Sequence, residues 1–379
     1  MTDPLGSMPS LPRYGESSLA DLAASLLAAL GVVAGPDPLQ LPSVNRICLL
    51  VIDGLGWELL RTHSAAAPFL SELAAAGRPL TAGFPATTVT SLASLGTGRP
   101  PGQHGLLGYQ VAIPGQGKLL NGLLWDKSVD PLAWQPGQTI YERAAAAGVS
   151  AYRVAASALE QTGLSQAVMR GTSYRPADSL GALAAESAAA LRAADRALVT
   201  VYHGDLDSTG HVFGCGSDAW QYQLGQVDKL AEHVASGIPA GTLLCVTADH
   251  GMVDVGRADR IDADTTPALR EGVALLGGEP RARHVYAVPG AAADVLQAWR
   301  AIIGSRAWVL PREEAISGGW FGPVEPWLAD RIGDVVAAPI GPWAVIASQA
   351  ERLESSLIGM HGSLTSADQL VPLLRLGAS

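Results

Sequence analysis

Three runs of the chain are apolar without alternation: residues 47–52, 197–202 and 242–248. Unbroken Val, Leu and Ile runs of this length suit strands buried on both faces, as in a parallel sheet covered by helices. Each run ends in acidic, histidine or glycine residues, namely Asp53-Gly54, His203-Gly204-Asp205-Leu206-Asp207 and Asp249-His250-Gly251. Between the second and third runs, and just before the second, lie Ala- and Leu-rich helical stretches at 219–235 and 179–194. The alternation predicts an α/β fold with a mostly parallel central sheet flanked by helices. In open sheets of this kind the ligand site lies beyond the carboxyl ends of the strands, where the three acidic clusters fall.

The flanks read differently. Residues 19–33 carry an amphipathic pattern after Ser17 or Ser18 as the cap, so residues 1–42 are expected to form an N-terminal helical extension. The central α/β core is expected over 43–254 and again over 343–379. Residues 255–342 change character, with strands expected at 283–288 and 307–310, a helix at 291–303, and Pro/Gly/Trp-rich turns at 318–327. That segment reads as a smaller inserted subdomain or lid over the carboxyl edge. No internal repeat or low-complexity tail interrupts the pattern.

Composition narrows the function more than the fold. Of 379 residues, 48% are hydrophobic and 16% charged, with 43 Gly and 25 Pro, which is a globular balance rich in turns. Lys plus Arg total 25 against 35 Asp plus Glu, and the net charge of −10 argues against a large nucleic-acid surface. An acidic protein that binds phosphate must reverse the field locally, with bound cations or helix N-termini. Cys48, Cys215 and Cys245 imply no disulfide framework. The first eighteen residues lack a basic and then apolar leader pattern, and 19–33 is too short for a membrane span, so a cytoplasmic location is expected.

The strand-end residues carry the chemistry. Asp53, Asp207 and His211 from DSTGH, Asp249 and His250 from TADHG, and His361 from MHGS make three carboxylates and three imidazoles. Such a set suits divalent metals, and two metals beside a hydroxyl can perform in-line displacement at phosphorus. The hydroxyl belongs to the stretch 84–91, FPATTVTS, which runs into a helical SLASLGTG. A threonine at a helix N-terminus sits in the positive end of the dipole, which favours its alkoxide and a bound phosphate. Thr87, Thr88, Thr90 and Ser91 all compete for that place.

Taken together these motifs resemble the alkaline phosphatase superfamily, and its nucleotide pyrophosphatase/phosphodiesterase branch in particular. VIDG at 51–54, FPATT at 84–88, TGRPPGQHG at 97–105, DSTGH at 207–211, ADHGM at 248–252 and MHG at 360–362 stand in family order. The resemblance implies one metal held by Asp53, Thr88, Asp249 and His250, and a second held by Asp207, His211 and His361. Zinc is the metal it implies, and the His-rich ligand set agrees, with manganese as the alternative. It further implies that Thr88 attacks phosphorus and that the resulting phospho-threonine is then hydrolysed. The expected substrates are small phosphodiesters or pyrophosphates of nucleotide type.

The pattern departs from the family in one place. Where that branch carries Pro-Asn two and three residues after the nucleophile, this chain has Thr90 and Ser91, and Ser91 offers one hydroxyl for a phosphate oxygen in place of an amide. A phosphomonoesterase or phosphonate hydrolase would use the same ligands. A sulfatase is disfavoured, because no Cys/Ser-x-Pro-x-Arg segment stands at the nucleophile position. A protein that keeps the fold but only binds, and a phosphotransferase, are rivals that turnover and product analysis distinguish. Trp125, Trp134, Trp320 and Trp327 offer an aromatic surface for a base, or plugs for the core edge. The sequence leaves the oligomeric state open.

Overall fold

A computed structural model describes residues 8–32 and 37–377. Its centre is a seven-stranded sheet in the order Arg78–Thr81, Leu370–Leu376, Thr242–Thr247, Arg46–Ile52, Ala197–His203, Ser150–Ala155, Ser173–Pro176. The pairs from Thr242–Thr247 to Ser173–Pro176 are parallel, whereas Leu370–Leu376 pairs antiparallel with both its neighbours. The three apolar runs are adjacent strands with Arg46–Ile52 in the middle, and residues 47–52 and 242–247 are all buried. Their carboxyl ends therefore stand side by side at the strand spacing of about 4.8 Å.

Helices Leu180–Arg192 and Asp218–Gly237 pack against each other beside this sheet. Each starts where a serine, Ser179 or Ser217, accepts a first-turn backbone N–H. The N-terminal helix Leu19–Ala29 has Ser18 as its cap, in a capping box with Asp21. The helix expected in this N-terminal segment is thus present, and it is part of the core. Leu19, Leu22, Leu26 and Leu27 are fully buried in the main core, and the helix packs on the Thr88–Thr97 helix. Its mean apolarity, with nine of eleven residues buried, fits a layer of the core better than a surface appendage. Val33, placed at the end of that pattern, lies outside the described residues.

A second, four-stranded antiparallel sheet runs Val273–Glu279, Ala282–Ala287, Val335–Pro339, Ala307–Pro311. With the helix Ala292–Ile303 it encloses a separate small core around Trp299, Val285 and Val335. Two buried ion pairs tie this sheet to neighbouring chain. Arg281 donates to both Asp368 oxygens at 3.0 and 2.7 Å, and to the Gly341 and Trp343 carbonyls. Arg283 donates to both Glu351 oxygens at 3.0 and 2.7 Å and to the Val345 carbonyl. Among the described residues, no helix is long and apolar enough to cross a membrane.

Candidate active site

The carboxyl edge of the three central strands gathers Asp53, Asp207, His211, Asp249 and His250, and the chain returns to add His361. Asp53 follows its strand directly, and Gly54 turns the backbone at φ +74, where a Cβ would lie 3.1 Å from Asp207. Gly251 has no room for a Cβ either, which would sit 1.9 Å from the Ala367 carbonyl oxygen. The two glycines thus let Asp53 and His250 approach their neighbours. Asp207 and His211 lie one turn apart on the helix Asp205–Phe213, so both side chains face the same way.

The three imidazoles share one arrangement. His250 Nδ1 donates to the Gly251 carbonyl at 2.9 Å, His211 Nδ1 to Gly359 at 2.7 Å, and His361 Nδ1 to Ala86 at 3.0 Å. A carbonyl only accepts, so each Nδ1 carries the proton and each Nε2 keeps a free lone pair when the ring is neutral. Those lone pairs point at carboxylates. His250 Nε2 is 3.3 Å from Asp53 Oδ1 and 3.7 Å from Asp249 Oδ2, His211 Nε2 is 3.2 Å from Asp207 Oδ2, and His361 Nε2 is 3.9 Å from Asp207 Oδ1.

Asp53 Oδ1, Asp207 Oδ1 and Asp249 Oδ2 are buried without a hydrogen-bond partner. Buried carboxylate oxygens facing imidazole lone pairs repel unless a cation stands between them. Two groups of donor atoms lie close enough to share an ion, Asp207 with His211 and His361, and Asp53 with Asp207 and His250. The backbone-anchored imidazole and the free second nitrogen form the pattern by which a protein orients a metal-ligating histidine.

Proton affinities reflect the same crowding. Burial, then Asp249 and Asp207, pushes the Asp53 carboxyl well above its ordinary range, although Tyr202 donates a hydrogen bond to its Oδ2. Burial pushes Asp207 upward as well, but His211, His250 and His361 outweigh it and leave that carboxyl below the usual range. His211 is lifted to about 9 because Asp207 overrides its burial. His361 is held well below the ordinary imidazole value by burial and by His250, which stacks on it at 3.6 Å between ring centroids.

Four neighbouring hydroxyls receive three different placements. Thr88 opens the helix Thr88–Thr97, and its Oγ1 is 3.2 Å from His250 Nε2 at the lip of two cavities. Thr87 points away and donates to Glu279 at 3.2 Å. Thr90 and Ser91 are fully enclosed, each with a hydroxyl oxygen that has no partner. Ser91 lines neither cavity: it lies on the same helix face as Thr88 but one turn further in, where it is fully enclosed. His104 is structural, meeting Ser94 Oγ at 3.1 Å and accepting from the Leu106 N–H.

One cavity, of about 600 Å³, runs from Asp53, Thr88 and Asp207 toward Arg153 and Ser165. The other, of about 300 Å³, runs past His211 and His361 to Tyr109, Glu279 and Glu354. None of Trp125, Trp134, Trp320 and Trp327 lines either cavity. Trp134 instead stacks under Arg331 at 3.6 Å, and Trp320 packs edge-on against Phe84. Trp125, Trp134 and Trp320 are buried plugs at the core edge, whereas Trp327 is about half exposed on the outer side of Arg331.

Sequence reasoning missed Glu279 and Tyr202. Glu279 is buried, its carboxyl is pushed up to about 8 by burial, and its Oε2 is 3.5 Å from His361 Nδ1. The signal was present, because VALLGGE is another run that ends in an acid. Tyr202 sits at the end of its strand on the face that carries Asp53, a consequence of strand alternation.

Residues 47–364 match the family model described as type I phosphodiesterase / nucleotide pyrophosphatase. A curated human relative, ectonucleotide pyrophosphatase/phosphodiesterase family member 7, is 27% identical over 264 residues, covering 64% of this chain and 55% of the relative. The match thus spans about half the length of that relative. Murine ectonucleotide pyrophosphatase / phosphodiesterase 5, solved as an inactive variant with AMP, superposes with a TM-score of 0.70 at 18% identity over 88% of both chains. Phosphonoacetate hydrolase from Sinorhizobium meliloti, in complex with phosphonoformate, gives 0.64 at 20% identity over 88% of this chain and 90% of that one. Such distant likenesses speak to fold, while the family model covers most of the chain with the motifs in order, and on that ground the chain belongs to the type I phosphodiesterase / nucleotide pyrophosphatase family of the alkaline phosphatase superfamily.

Proposed function

We propose that the chain hydrolyses a phosphodiester or phosphoanhydride bond through a phospho-threonine formed on Thr88. The observation that carries the reading is the set of three buried, unpartnered carboxylate oxygens facing histidine Nε2 atoms beside Thr88. In this reading Asp53, Thr88, Asp249 and His250 hold one divalent cation, and Asp207, His211 and His361 hold another, with zinc the best fit to the donors. The cations supply positive charge that lowers the Thr88 pKa and offsets charge developing on phosphorus oxygens.

The chain's own groups do the rest. Thr88 Oγ1 forms a bond to phosphorus as the leaving oxygen departs, and the helix N-terminus beneath it stabilises anionic oxygen in the transition state. Water then cleaves the Thr88–phosphate bond and restores the hydroxyl. Tyr202, donating to Asp53, and the Gly251, Gly359 and Ala86 carbonyls fix the ligand side chains before any substrate arrives. Ser91 takes no part, since it is enclosed.

Hydrolysis of a monoester or a phosphonate by the same residues is the second reading. It is favoured by the larger cavity, which among the described residues is lined by no Phe or Trp to clamp a base, and whose Tyr202 is occupied with Asp53. The deciding experiment compares initial rates on bis(p-nitrophenyl) phosphate and p-nitrophenyl phosphate with added zinc or manganese. A Thr88-dependent preference for the diester supports the first reading; preference for the monoester moves the enzyme to the second.

A further inference from the structure

The larger cavity ends on a cation that the fold leaves unsatisfied. Arg153 lies on the strand Ser150–Ala155, opposite Thr200 of Ala197–His203, and is only 3% exposed. Its Nη1 donates to Ser165 Oγ at 2.5 Å, while its Nε has no partner. Tyr174 offers only a distant ring, 5.7 Å from the guanidinium carbon. Asp178, at the cavity wall, is engaged with the Ser157 N–H at 2.7 Å. Burial holds the Arg153 pKa below its usual value.

Other buried arginines of this protein are treated differently. Arg281 and Arg283 each grip a carboxylate with two nitrogens. Arg331 also lacks an acid and has an Nε without a partner, but its Nη1 donates to the Gly105 and Trp134 carbonyls and its guanidinium carbon sits 3.6 Å over the Trp134 ring. A buried guanidinium with one serine for company is expensive to retain, and a partner from outside the chain removes the penalty.

We propose that Arg153 recognises a second oxyanion, a carboxylate or a phosphate, carried at the far end of the substituent that fills the larger cavity. This rests on the hydrolytic reading of Thr88 and names its substrate class. The cavity opens at Thr88, Asp53 and Asp207 and reaches Arg153 between apolar walls formed in part by Leu92, Leu159 and Leu183. Arg153, Thr200 and Tyr202 share one face of the sheet, the face from which Tyr202 reaches Asp53. In register, Asp53 and Arg153 are two strands apart, about 10 Å across the sheet, and four residues apart, about 13 Å along it. The substituent is therefore a chain of several bonds, apolar in the middle and anionic at its tip. The planar guanidinium fork suits either oxyanion.

The test uses 4-nitrophenyl phosphodiesters whose other substituent is an alkyl chain ending in a carboxylate, a phosphate or a neutral amide, in several lengths. Wild-type enzyme is expected to favour one of the anionic ends over the amide by about tenfold or more in kcat/KM, expressed in KM. The better anionic end identifies the oxyanion. Arg153→Met brings the ratio close to one, and Arg153→Lys, which keeps charge without the fork and guards against misfolding, retains part of it. A wild-type ratio near one, or an undiminished ratio in both variants, overturns the proposal. Calorimetric titration of the same esters into Thr88→Ala and Thr88→Ala/Arg153→Met proteins reads the contact without turnover. A binding preference that disappears with Arg153, in a protein whose wild type turns over none of the esters, sustains the oxyanion contact and sinks the hydrolytic reading instead.

Discussion

The active-site cluster and the seam between the two sheets both bury acids beside bases, yet they are built to opposite ends. In the seam both arginines are answered: Arg281 and Arg283 meet their carboxylates through two hydrogen bonds each, and Asp368 also accepts from the Ser363 N–H and the Thr365 hydroxyl. In the cluster, carboxylates crowd one another and leave three oxygens unpartnered. A closed network holds two parts of a chain together; an open one needs an ion to be stable and keeps charge available for chemistry. Burial alone does not separate a site from a scaffold. Satisfaction does.

The sharpest break in this contrast is Thr88→Ala, expected to lower diester turnover by at least about a thousandfold while metal content, measured by plasma mass spectrometry, stays unchanged. Near wild-type rates would remove Thr88 from the nucleophile's place. The seam answers differently to a comparable insult. Arg281→Met strands Asp368 in the interior and is predicted to cost about 3–5 kcal/mol in urea unfolding.

Removing metal sharpens the comparison further. Stripping wild-type protein with a chelator should lower its stability by about 2.7 kcal/mol for each site previously held with metal at a hundredfold its Kd. Readdition of zinc should restore it, and an unchanged melting curve would argue that the carboxylates are tolerated without ions. His361→Ala is expected to reduce bound metal from two ions to one, because Asp207 and His211 alone offer too few donors. Two tightly held ions in that variant would exclude His361 from the ligand set.

The smallest effect concerns buried histidines outside the cluster. Burial first, and then Arg99 and Arg331, holds His104 down to about 3; burial, with Arg312 adding to it, holds His284 down to about 4. His284 accepts from the Gly333 N–H through Nδ1 and meets the Leu107 carbonyl through Nε2, so it is satisfied only as the neutral ring. The unfolded chain takes up protons near pH 6.5, where the folded chain does not, so these residues contribute stability above that pH and lose it as pH falls toward 4. Each should steepen the loss by about 1.4 kcal/mol per pH unit. Urea midpoints between pH 7 and 4.5 in wild type and His284→Leu check this, and parallel slopes would contradict it.

Much of the fold was legible because its signals are local. The apolar runs at 47–52, 197–202 and 242–248 coincide with three strands to within one residue, and Ser18, one of the two caps expected, caps Leu19–Ala29. The strands expected at 283–288 and 307–310 are Ala282–Ala287 and Ala307–Pro311, one residue off or less at most ends. Whether the helix Leu19–Ala29 covers a surface or fills a core is not a local property, and only the fold packs its leucines into the main core. Glu279, Tyr202 and Arg153 were passed over because each acquires meaning only from a partner, or a missing partner, far away in the chain.

The sequence by itself determined the parallel strands, the acids and histidines at their ends, and the family to which the chain belongs, since each depends on residue order and short-range periodicity. Tertiary structure decided which of four adjacent hydroxyls faces His250, which nitrogen of each imidazole is left free, and which buried arginine is left with a single serine hydroxyl for a partner. Those choices depend on distances between segments that no local pattern specifies. A hydrogen bond made or withheld at the end of folding is the physical reason why two regions with the same residue types can become, in one place, a seam and, in the other, a site.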